Sequence, residues 1–280
     1  MKVGLIQTRT PATHAAALAH VLPLVKDAAA QGARLVLTPE GTNILQKNRE
    51  QLLPQLTSLA DDPVVNGLRD AARELSVWID VGSVLVRRED GKAANRQVLV
   101  RPDGTVAATY DKLHMFDATL PDGRTIREGS LYEAGSRAVV VESDWGRLGL
   151  TICYDLRFPQ LFRALAQAGA KLIFVPAAFT RPTGKMHWHA LLRARAIENG
   201  CYIVAPATCG TSPDSHATFG HSMVVDPFGA IVMEAGDDPG VFLAEIDLDK
   251  VDLARSRIPS LTHDRKFTVD VVDARGGALA

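Results

Sequence analysis

Cys153 is the residue whose type and position most directly indicate chemistry in this chain. It ends the apolar run 147–152, and the stretch 158–168 that follows has the pattern of a helix. A thiol between a strand and a helix N-terminus is placed for nucleophilic attack, because helix amides and the macrodipole lower its pKa there. A buried structural cysteine is the alternative, so Cys153 needs support from other residues.

Three other charged side chains stand in polar segments that follow apolar ones. Glu40 follows the strand-like segment 34–38, Lys112 follows a hairpin over 98–109, and Glu128 lies in the long polar connection before residue 138. Each of them alone is typical of a solvated surface charge. Their order along the chain, together with Cys153, is what makes them candidates for a site.

Composition narrows the class of protein. The chain has 280 residues, is 46% hydrophobic and 22% charged, and carries a net charge of −1. It is long enough to bury a core without disulfides or a structural metal. The near-neutral charge gives no electrostatic reason to expect nucleic acid or an anionic membrane as a partner.

The cysteines and the apolar runs indicate a cellular compartment. Cys153, Cys201 and Cys209 are odd in number and form no CxxC pair, which favours reduced thiols over a disulfide framework. The longest apolar stretches are the length of strands, and residues 3–6 are too short for a signal-peptide core. We therefore expect a cytoplasmic protein with no membrane contact.

Alternating apolar runs and Ala-rich segments predict an α/β fold. A single domain is expected over residues 1–272, with a poorly ordered tail at 273–280. Helices are predicted at 13–31, 62–75, 158–168 and 184–199, the last ending at Asn199-Gly200. Strands are predicted at 2–8, 34–38, 77–84, 96–101, 138–142, 147–152, 171–175, 201–206, 222–226 and 242–246.

The two halves of the chain resemble each other at three places. Residues 2–5 match 147–150, residues 32–39 match 169–176, and residues 98–104 match 222–229. An internal duplication would build two similar sheets that bury their apolar faces against each other, with helices outside. Glu40 and Cys153 would then both lie past the carboxyl ends of strands, where open α/β sheets form ligand crevices.

Taken together, these segments resemble the nitrilase superfamily of carbon–nitrogen hydrolases. The resemblance runs from the first strand to about Phe267 and is most specific at Cys-Tyr-Asp-Leu-Arg-Phe-Pro (153–159) and Thr-Gly-Lys-Met-His-Trp (183–188). Segments 192–199 and 220–227 add to it. Within the superfamily, the chain is similar to the amidase branch that contains the deaminated glutathione amidases and the ω-amidases. That branch implies an α-β-β-α sandwich and subunits that pair through extended sheets and helices, as a homodimer or larger homo-oligomer.

The resemblance also implies roles for the site residues. It assigns Cys153 as nucleophile, Glu40 as general base, Lys112 as the cation at the oxyanion, and Glu128 as an acidic residue that helps to hold the lysine and the substrate. Amide carbonyls resist attack, so these residue types suit the chemistry. The backbone N–H of Tyr154, at the expected helix start, is a natural second donor to the oxyanion. The implied thioester cycle requires no metal or organic cofactor.

Histidines raise a metal site as an alternative. His187 and His189 are two residues apart, so on a helix they point to different sides, unlike the pair in HExxH. His114, His216 and His221 are the other histidines considered for such a site. We therefore expect no catalytic metal.

The substrate is expected to be a small linear amide. If it carries a carboxylate, Arg181 is the predicted anchor, because it follows a strand next to the expected crevice and arginine binds carboxylates in a bidentate manner. The segment 179–185 looks more like deaminated glutathione amidases than ω-amidases, which favours deaminated glutathione. The alternatives are 2-oxoglutaramate, then an N-carbamoyl amino acid or a nitrile, and, in another class, a catalytically silent dimeric scaffold.

Overall fold

A computed structural model describes residues 1–120, 123–211, 216–273 and 277–278. The helices in this part of the chain are α1 (His14–Ala30), α2 (Arg49–Leu52), α3 (Pro63–Leu75), α4 (Pro159–Gln167), α5 (Arg181–Asn199) and α6 (Asp249–Arg257). The strands of the first half are β1 (Lys2–Gln7), β2 (Leu35–Leu37), β3 (Trp78–Arg87), β4 (Ala93–Val100), β5 (Val106–Asp111), β6 (Asp117–Thr119), β7 (Thr125–Arg127) and β8 (Val139–Ser143). Those of the second half are β9 (Gly146–Leu150), β10 (Ala170–Phe174), β11 (Tyr202–Ala205), β12 (Cys209–Gly210), β13 (Thr218–Phe219), β14 (Met223–Val225), β15 (Ile231–Glu234), β16 (Gly240–Glu245), β17 (Val272–Asp273) and β18 (Gly277–Ala278).

Two six-stranded sheets carry the fold, and they have the same topology. Their strand orders are β16-β1-β2-β3-β4-β5 and β8-β9-β10-β11-β14-β15. In each sheet the second, third and fourth strands are parallel and the outer ones antiparallel. The internal sequence similarities align β1 with β9, β2 with β10, and β4 with β14. The two strands of each pair occupy the same position in their respective sheets. The topology therefore agrees with an internal duplication.

Strand alternation explains how the layers stack. Leu35 and Leu37 on β2 lie in one core cluster with residues of the second sheet, whereas Val36 lies in another with residues of α1 and α3. Successive strand residues point to opposite faces, so the first sheet packs on the second through one face and on α1 and α3 through the other. On the second sheet, a Cβ at Gly149 would lie 3.3 Å from Leu165 of α4, which places that helix on the outer face. The predicted α-β-β-α sandwich is confirmed.

Local signals begin α3 and end α5. Asp62 caps α3 by accepting the backbone N–H groups of Val64 and Val65, both at 2.9 Å, and Pro63 occupies the first turn. Helix α5 ends at Gly200, which adopts φ +52°, as the Asn-Gly stop predicts. It begins at Arg181, three residues before the predicted start, with Pro182 in its first turn.

All ten predicted strands and all four predicted helices are present, with shifts of a few residues at their ends. The prediction for residues 273–280 stays a prediction, because residues 274–276 and 279–280 lie outside the described residues. Within the described part of the chain, no helix has the combined length and apolar character needed to cross a membrane.

Candidate active site

A cavity of about 380 Å³ lies beyond the carboxyl ends of β2, β9 and β10. This size is within the usual range for small-molecule sites. Segments from both halves of the duplicated fold line it. Its lining includes the four charged or nucleophilic residues predicted from the sequence, Glu40, Lys112, Glu128 and Cys153.

Glu40 is held on a backbone that continues from β2 toward the second sheet. The Thr38 N–H donates to Asp80 O at 2.9 Å, and β3 passes so close that a Cβ at Gly82 would lie 1.5 Å from Thr38 O. Only glycine fits at position 82. The carboxylate accepts the Ala178 backbone N–H at 2.8 Å and the Asn95 side-chain amide at 2.9 Å. Glu40 is thus buried and fixed through both of its oxygens.

Lys112 stands between two carboxylates. Its Nζ lies 2.9 Å from Glu40 Oε1 and 2.8 Å from each oxygen of Glu128. Glu128 in turn accepts the Phe116 backbone N–H at 2.6 Å, which fixes the second carboxylate. With only 2% of its surface exposed, Lys112 is a buried ammonium that depends on these partners for its charge.

Cys153 has a strained backbone that is held from two sides. Its φ is +48°, a left-handed conformation that is uncommon for a residue other than glycine and costs about 1–3 kcal/mol. Its N–H donates to Pro176 O at 2.9 Å, and the preceding Ile152 N–H donates to the buried Asp155 carboxylate at 2.9 Å. Strain of this kind is found at functional sites, where the surroundings force it.

Asp155 organises the turn that carries the thiol. Besides Ile152 N–H, its carboxylate accepts the Tyr110 hydroxyl at 2.6 Å, the His114 backbone N–H at 3.1 Å and the His114 ring Nδ1–H at 2.7 Å. The His114 ring also stacks on Phe158, with 3.5 Å between ring centroids. The segment that contains Lys112 is thereby tied to the segment that contains Cys153.

The charges of the site determine its resting protonation. Burial alone would raise the pKa of Glu40, but Lys112 and the hydrogen bonds from Cys153 and Asn95 outweigh it and hold the pKa below its usual value. Burial would lower the pKa of Lys112, yet Glu128 and Glu40 raise it well above normal. Burial and the Glu40 carboxylate raise the pKa of Cys153 well above normal, and Lys112 offsets this only in part. The resting site therefore holds a carboxylate, an ammonium and a neutral thiol.

The expectation that a helix N-terminus lowers the pKa of Cys153 is wrong. Cys153 begins a five-residue 3-10 turn that ends at Arg157, and α4 begins only at Pro159. The neighbouring Glu40 carboxylate disfavours a second negative charge. The pKa values of the thiol and of the Glu40 carboxylate influence each other, so a proton acceptor lies next to the thiol.

Tyr154 follows the nucleophile as the second residue of the 3-10 turn. In that position its backbone N–H has no acceptor inside the turn. It remains a candidate donor to an oxyanion formed beside Cys153.

Arg181 does not line the cavity. It is the first residue of α5, its guanidinium lies 3.9 Å from Asp237, and 43% of its side chain is exposed. Its neighbour Thr180 does line the cavity. Thr180 is the N-cap residue with extended backbone and Arg181 is the first helical residue, so the chain changes direction between them, and the Arg181 side chain lies near Asp237 and outside the cavity lining. The prediction of Arg181 as an inward-facing anchor is wrong.

Arg157 is the arginine that lies beside the thiol. It borders a narrow pocket of about 20 Å³ next to Cys153, together with Phe116, Tyr154, Ala178, Phe179, Thr180 and Thr183. Arg157 forms no ion pair with the nearby Asp155 in the described part of the chain. Instead, the guanidinium lies 3.3 Å from His187 Nδ1 and over the rings of Tyr154 and Phe179. Arg157 is thus a half-buried cation without a carboxylate partner in the described part of the chain.

The histidines are distributed over several places. His114 supports Asp155, His187 contacts Arg157, and His216 lines the cavity. His189 Nε2 and His221 Nδ1 share one oxygen of Glu234, at 2.8 and 2.9 Å. In this last group His189 lies on α5, His221 precedes β14 and Glu234 ends β15, and none of the three is part of the cavity lining.

Comparisons with known proteins show the family of this chain. A family model described as carbon-nitrogen hydrolase matches residues 2–256. A curated relative from Synechocystis sp., named deaminated glutathione amidase, is 44% identical over 244 residues, which cover 86% of this chain and 89% of that protein. The crystal structure of the C. elegans NitFhit protein matches with a TM-score of 0.88 and 33% identity over 94% of this chain, which spans 65% of that protein.

A further solved structure bears on the cysteine. It is a glutamate-to-glutamine variant of the amidase from Nesterenkonia sp. AN1, in which acrylamide has added to the active-site cysteine. The two chains match with a TM-score of 0.77 and 27% identity, over 92% of this chain and 98% of that one. The similarity thus includes an enzyme with a reactive active-site thiol.

Proposed function

This chain belongs to the carbon–nitrogen hydrolase family, within the nitrilase superfamily, and on that premise we propose that it hydrolyses deaminated glutathione. It is an amidase, a hydrolase of carbon–nitrogen bonds. The proposed reaction cleaves the γ-glutamyl-type amide and releases 2-oxoglutarate and cysteinylglycine. The observation that carries the proposal is the buried contact of Glu40, Lys112 and Cys153 at the base of a cavity.

In the proposed first half-reaction, the Cys153 sulfur attacks the amide carbon while Glu40 takes the thiol proton. Lys112 and the Tyr154 N–H stabilise the negative charge on the carbonyl oxygen, and Glu128 keeps Lys112 in place. Each such donor typically contributes about 10²–10³ in rate. Glu40 then gives its proton to the departing nitrogen, the carbon–nitrogen bond breaks, and a thioester remains on Cys153.

In the second half-reaction, a water molecule attacks the thioester and Glu40 accepts its proton. The sulfur leaves, takes the proton back from Glu40, and the carboxylic acid is released. One water is consumed for each amide, and no metal or organic cofactor takes part.

Arg157 is the residue that we propose for the carboxylate of the acyl group. The pocket that it borders adjoins Cys153 on a side where Glu40 is not part of the lining. Its narrowness suits a small terminal group, and a half-buried guanidinium without a carboxylate partner suits a 2-oxo acid. This role replaces the one predicted for Arg181.

The name of the Synechocystis relative supports deaminated glutathione as the substrate. A second candidate is 2-oxoglutaramate, because it carries the same acyl group and would use the same Arg157 pocket. The two substrates differ only in the leaving group, which is cysteinylglycine in one and ammonia in the other.

We also propose that the protein acts in the cytoplasm as a homodimer or larger homo-oligomer. Free thiols such as Cys153, Cys201 and Cys209 persist in a reducing compartment. Exposed apolar side chains on α5 and around β15 favour self-association, namely Ile197, Phe228 and Ile231. Sedimentation of the wild type and of Ile197→Glu tests this, and a monomeric wild type would contradict it.

The experiment that tests the function measures product release from deaminated glutathione, 2-oxoglutaramate, a carbamoyl amino acid and an aliphatic nitrile, with Cys153→Ala as control. Release of cysteinylglycine that disappears in the variant is the expected result. Turnover of another compound alone would keep the mechanism and change the substrate. If no compound is hydrolysed and Cys153 reacts slowly with iodoacetamide, the silent scaffold becomes the better explanation.

A further inference from the structure

We propose that Arg127 binds the carboxylate of the leaving amine, so that the site selects amides whose leaving group is a small peptide or amino acid with a free carboxylate. This inference rests on the proposed function and deepens it. It concerns the leaving-group end of the substrate, whereas Arg157 concerns the acyl end.

The first step is to decide which side of Cys153 holds the leaving group. In the proposed cycle, Glu40 must protonate the departing nitrogen, so this nitrogen has to come within hydrogen-bonding distance of the Glu40 carboxylate. Glu40 lines the 380 Å³ cavity and is not part of the lining of the narrow Arg157 pocket. The leaving amine therefore occupies the larger cavity, and the acyl group extends toward Arg157.

The second step concerns the charge at the mouth of that cavity. Besides the buried Lys112, its described lining contains the exposed cations Lys47, Arg49 and Arg127, with His216 beside them. Glu40 and Glu128 are the acidic residues of the described lining, and both are engaged with Lys112. A leaving group that enters from the mouth thus meets positive charge there, as a carboxylate requires.

The third step selects among these cations. Lys47 already has an interaction of its own. Arg49 donates to Ser130 O at 3.1 Å, which ties its guanidinium to the backbone. Arg127 has no hydrogen-bond or ion-pair partner for its guanidinium among the residues that the structure describes. Its cross-strand neighbour Asp117 uses its carboxylate to accept the Gly129 N–H at 2.9 Å. Arg127 is therefore the cation whose donors are available to a ligand.

The position of Arg127 is also fixed relative to the catalytic residues. It ends β7, which pairs with β6, and the next residue, Glu128, is held by Lys112 and Phe116 N–H. Movement at Arg127 is limited by that anchored neighbour. Cysteinylglycine spans two residues, so its carboxylate lies at most about 7 Å from the scissile nitrogen. This distance is compatible with a cation that lines the same cavity as Glu40 and Cys153.

The test compares two substrates that share an acyl group, with Arg127→Met as the variant and Arg181→Met as the matched control. Deaminated glutathione presents the leaving-group carboxylate, and 2-oxoglutaramate lacks it. A third compound, deaminated glutathione with its C-terminal carboxylate converted to a carboxamide, keeps the size and removes the charge. Values of kcat/KM are measured for all three compounds at low and moderate salt.

We expect Arg127→Met to lower kcat/KM for deaminated glutathione about tenfold, which corresponds to about 1.4 kcal/mol. The wild type should lose a similar factor on the carboxamide, and the variant should no longer distinguish the two. Both the variant on 2-oxoglutaramate and Arg181→Met on every compound should remain within about twofold of wild type. The effect of Arg127 should shrink as salt is added, because the residue is exposed.

Two outcomes would overturn the inference and leave the proposed function standing. One is hydrolysis of deaminated glutathione that depends on Cys153 but is the same in Arg127→Met and wild type. The other is an equal loss on 2-oxoglutaramate, which would mean that Arg127 acts on the fold of the cavity. If the wild type hydrolyses none of the three compounds, the proposed function fails, and the inference fails with it.

Discussion

Replacing Asp155 with Asn is expected to reduce turnover strongly while the protein remains folded. The Asp155 carboxylate accepts four hydrogen bonds, two on each oxygen, from Tyr110 Oη, Ile152 N, His114 N and His114 Nδ1. Asparagine has nearly the same shape but presents a donor in place of one of those oxygens. At least one donor must then lose its acceptor in a fully buried place.

The expected loss of stability in Asp155→Asn depends on which carboxylate oxygen is replaced by the amide nitrogen. If the amide nitrogen takes the place of Oδ2, the Tyr110 hydroxyl can rotate and accept from it, and only the Ile152 N–H is left unsatisfied. That group costs about 1–3 kcal/mol, and weaker bonds to a neutral acceptor add about 1 kcal/mol. The loss of roughly 2–4 kcal/mol is smaller than the typical stability of a domain, about 5–15 kcal/mol. The effect on turnover should be more pronounced than the effect on stability, because the Ile152 N–H helps to hold the strained Cys153. A misplacement of about 1 Å can reduce rates about 10²-fold.

Urea unfolding followed by circular dichroism measures the stability, and kcat, KM and the rate of Cys153 alkylation by iodoacetamide measure the placement of the thiol. Asp252→Asn is the matched control, since it removes a largely exposed carboxylate 2.9 Å from Lys171. It should change neither the stability nor the placement of the thiol appreciably. If Asp155→Asn loses the expected stability but keeps kcat and the alkylation rate, Asp155 supports the fold without positioning the thiol. An unchanged unfolding midpoint would refute the hydrogen-bond argument itself.

Three further predictions concern protons and metals. Glu40→Gln should lower kcat by about 10²–10⁴ because it removes the general base. The loss of the Glu40 negative charge should also make Cys153 alkylation begin at lower pH than in wild type. Near-normal turnover would refute the role of Glu40. Burial raises the pKa of Asp80 to about 8 in the folded state, whereas the pKa in the unfolded state is about 3.9. The folded state therefore binds more protons than the unfolded state between these two pH values. The free energy of unfolding of the wild type should thus fall as pH rises from about 4 to 8, by up to about 1.4 kcal/mol per pH unit. Asp80→Asn should lack this slope in urea titrations, and parallel pH profiles for the two proteins would contradict the assignment. Activity should survive exhaustive chelation, and a loss that zinc restores would refute a metal-free mechanism.

Sequence patterns predicted the longer elements that have buried apolar faces, and they missed β15 and α6, whose burial is slight. The edge strand β15 exposes Ile231 and Val232, so solvent exposure removes the alternation that identifies a strand. Helix α6 buries only Val251 and Ala254, and its remaining residues give no apolar stripe. Both elements are fixed by pairing or packing with distant segments, which a local pattern does not contain.

The site residues also divide into those that the sequence could predict and those that it could not. Glu40, Lys112, Glu128 and Cys153 could be named because their motifs resemble those of a known family. The roles of Asp155 and Asn95 could not, because their partners are distant: Asp155 lies 45 residues from Tyr110, and Asn95 lies 55 residues from Glu40. The prediction for Arg181 failed for a geometric reason, since the chain passes from the extended Thr180 into α5 between these two residues, and only Thr180 lines the cavity.

The arrangement of charges explains why the site can keep a neutral thiol and still use it. At rest, the Glu40 and Glu128 carboxylates surround the Lys112 ammonium, and a thiolate would add a further negative charge in a buried place. In the proposed attack, the thiol proton moves to Glu40 at the same time as negative charge develops on the carbonyl oxygen. The number of negative charges near Lys112 therefore stays constant, while one of them moves from Glu40 to the oxyanion. A lysine that is already desolvated and fixed by Glu128 needs little reorganisation to stabilise the new charge, and this is the condition under which an electrostatic contribution to catalysis is large.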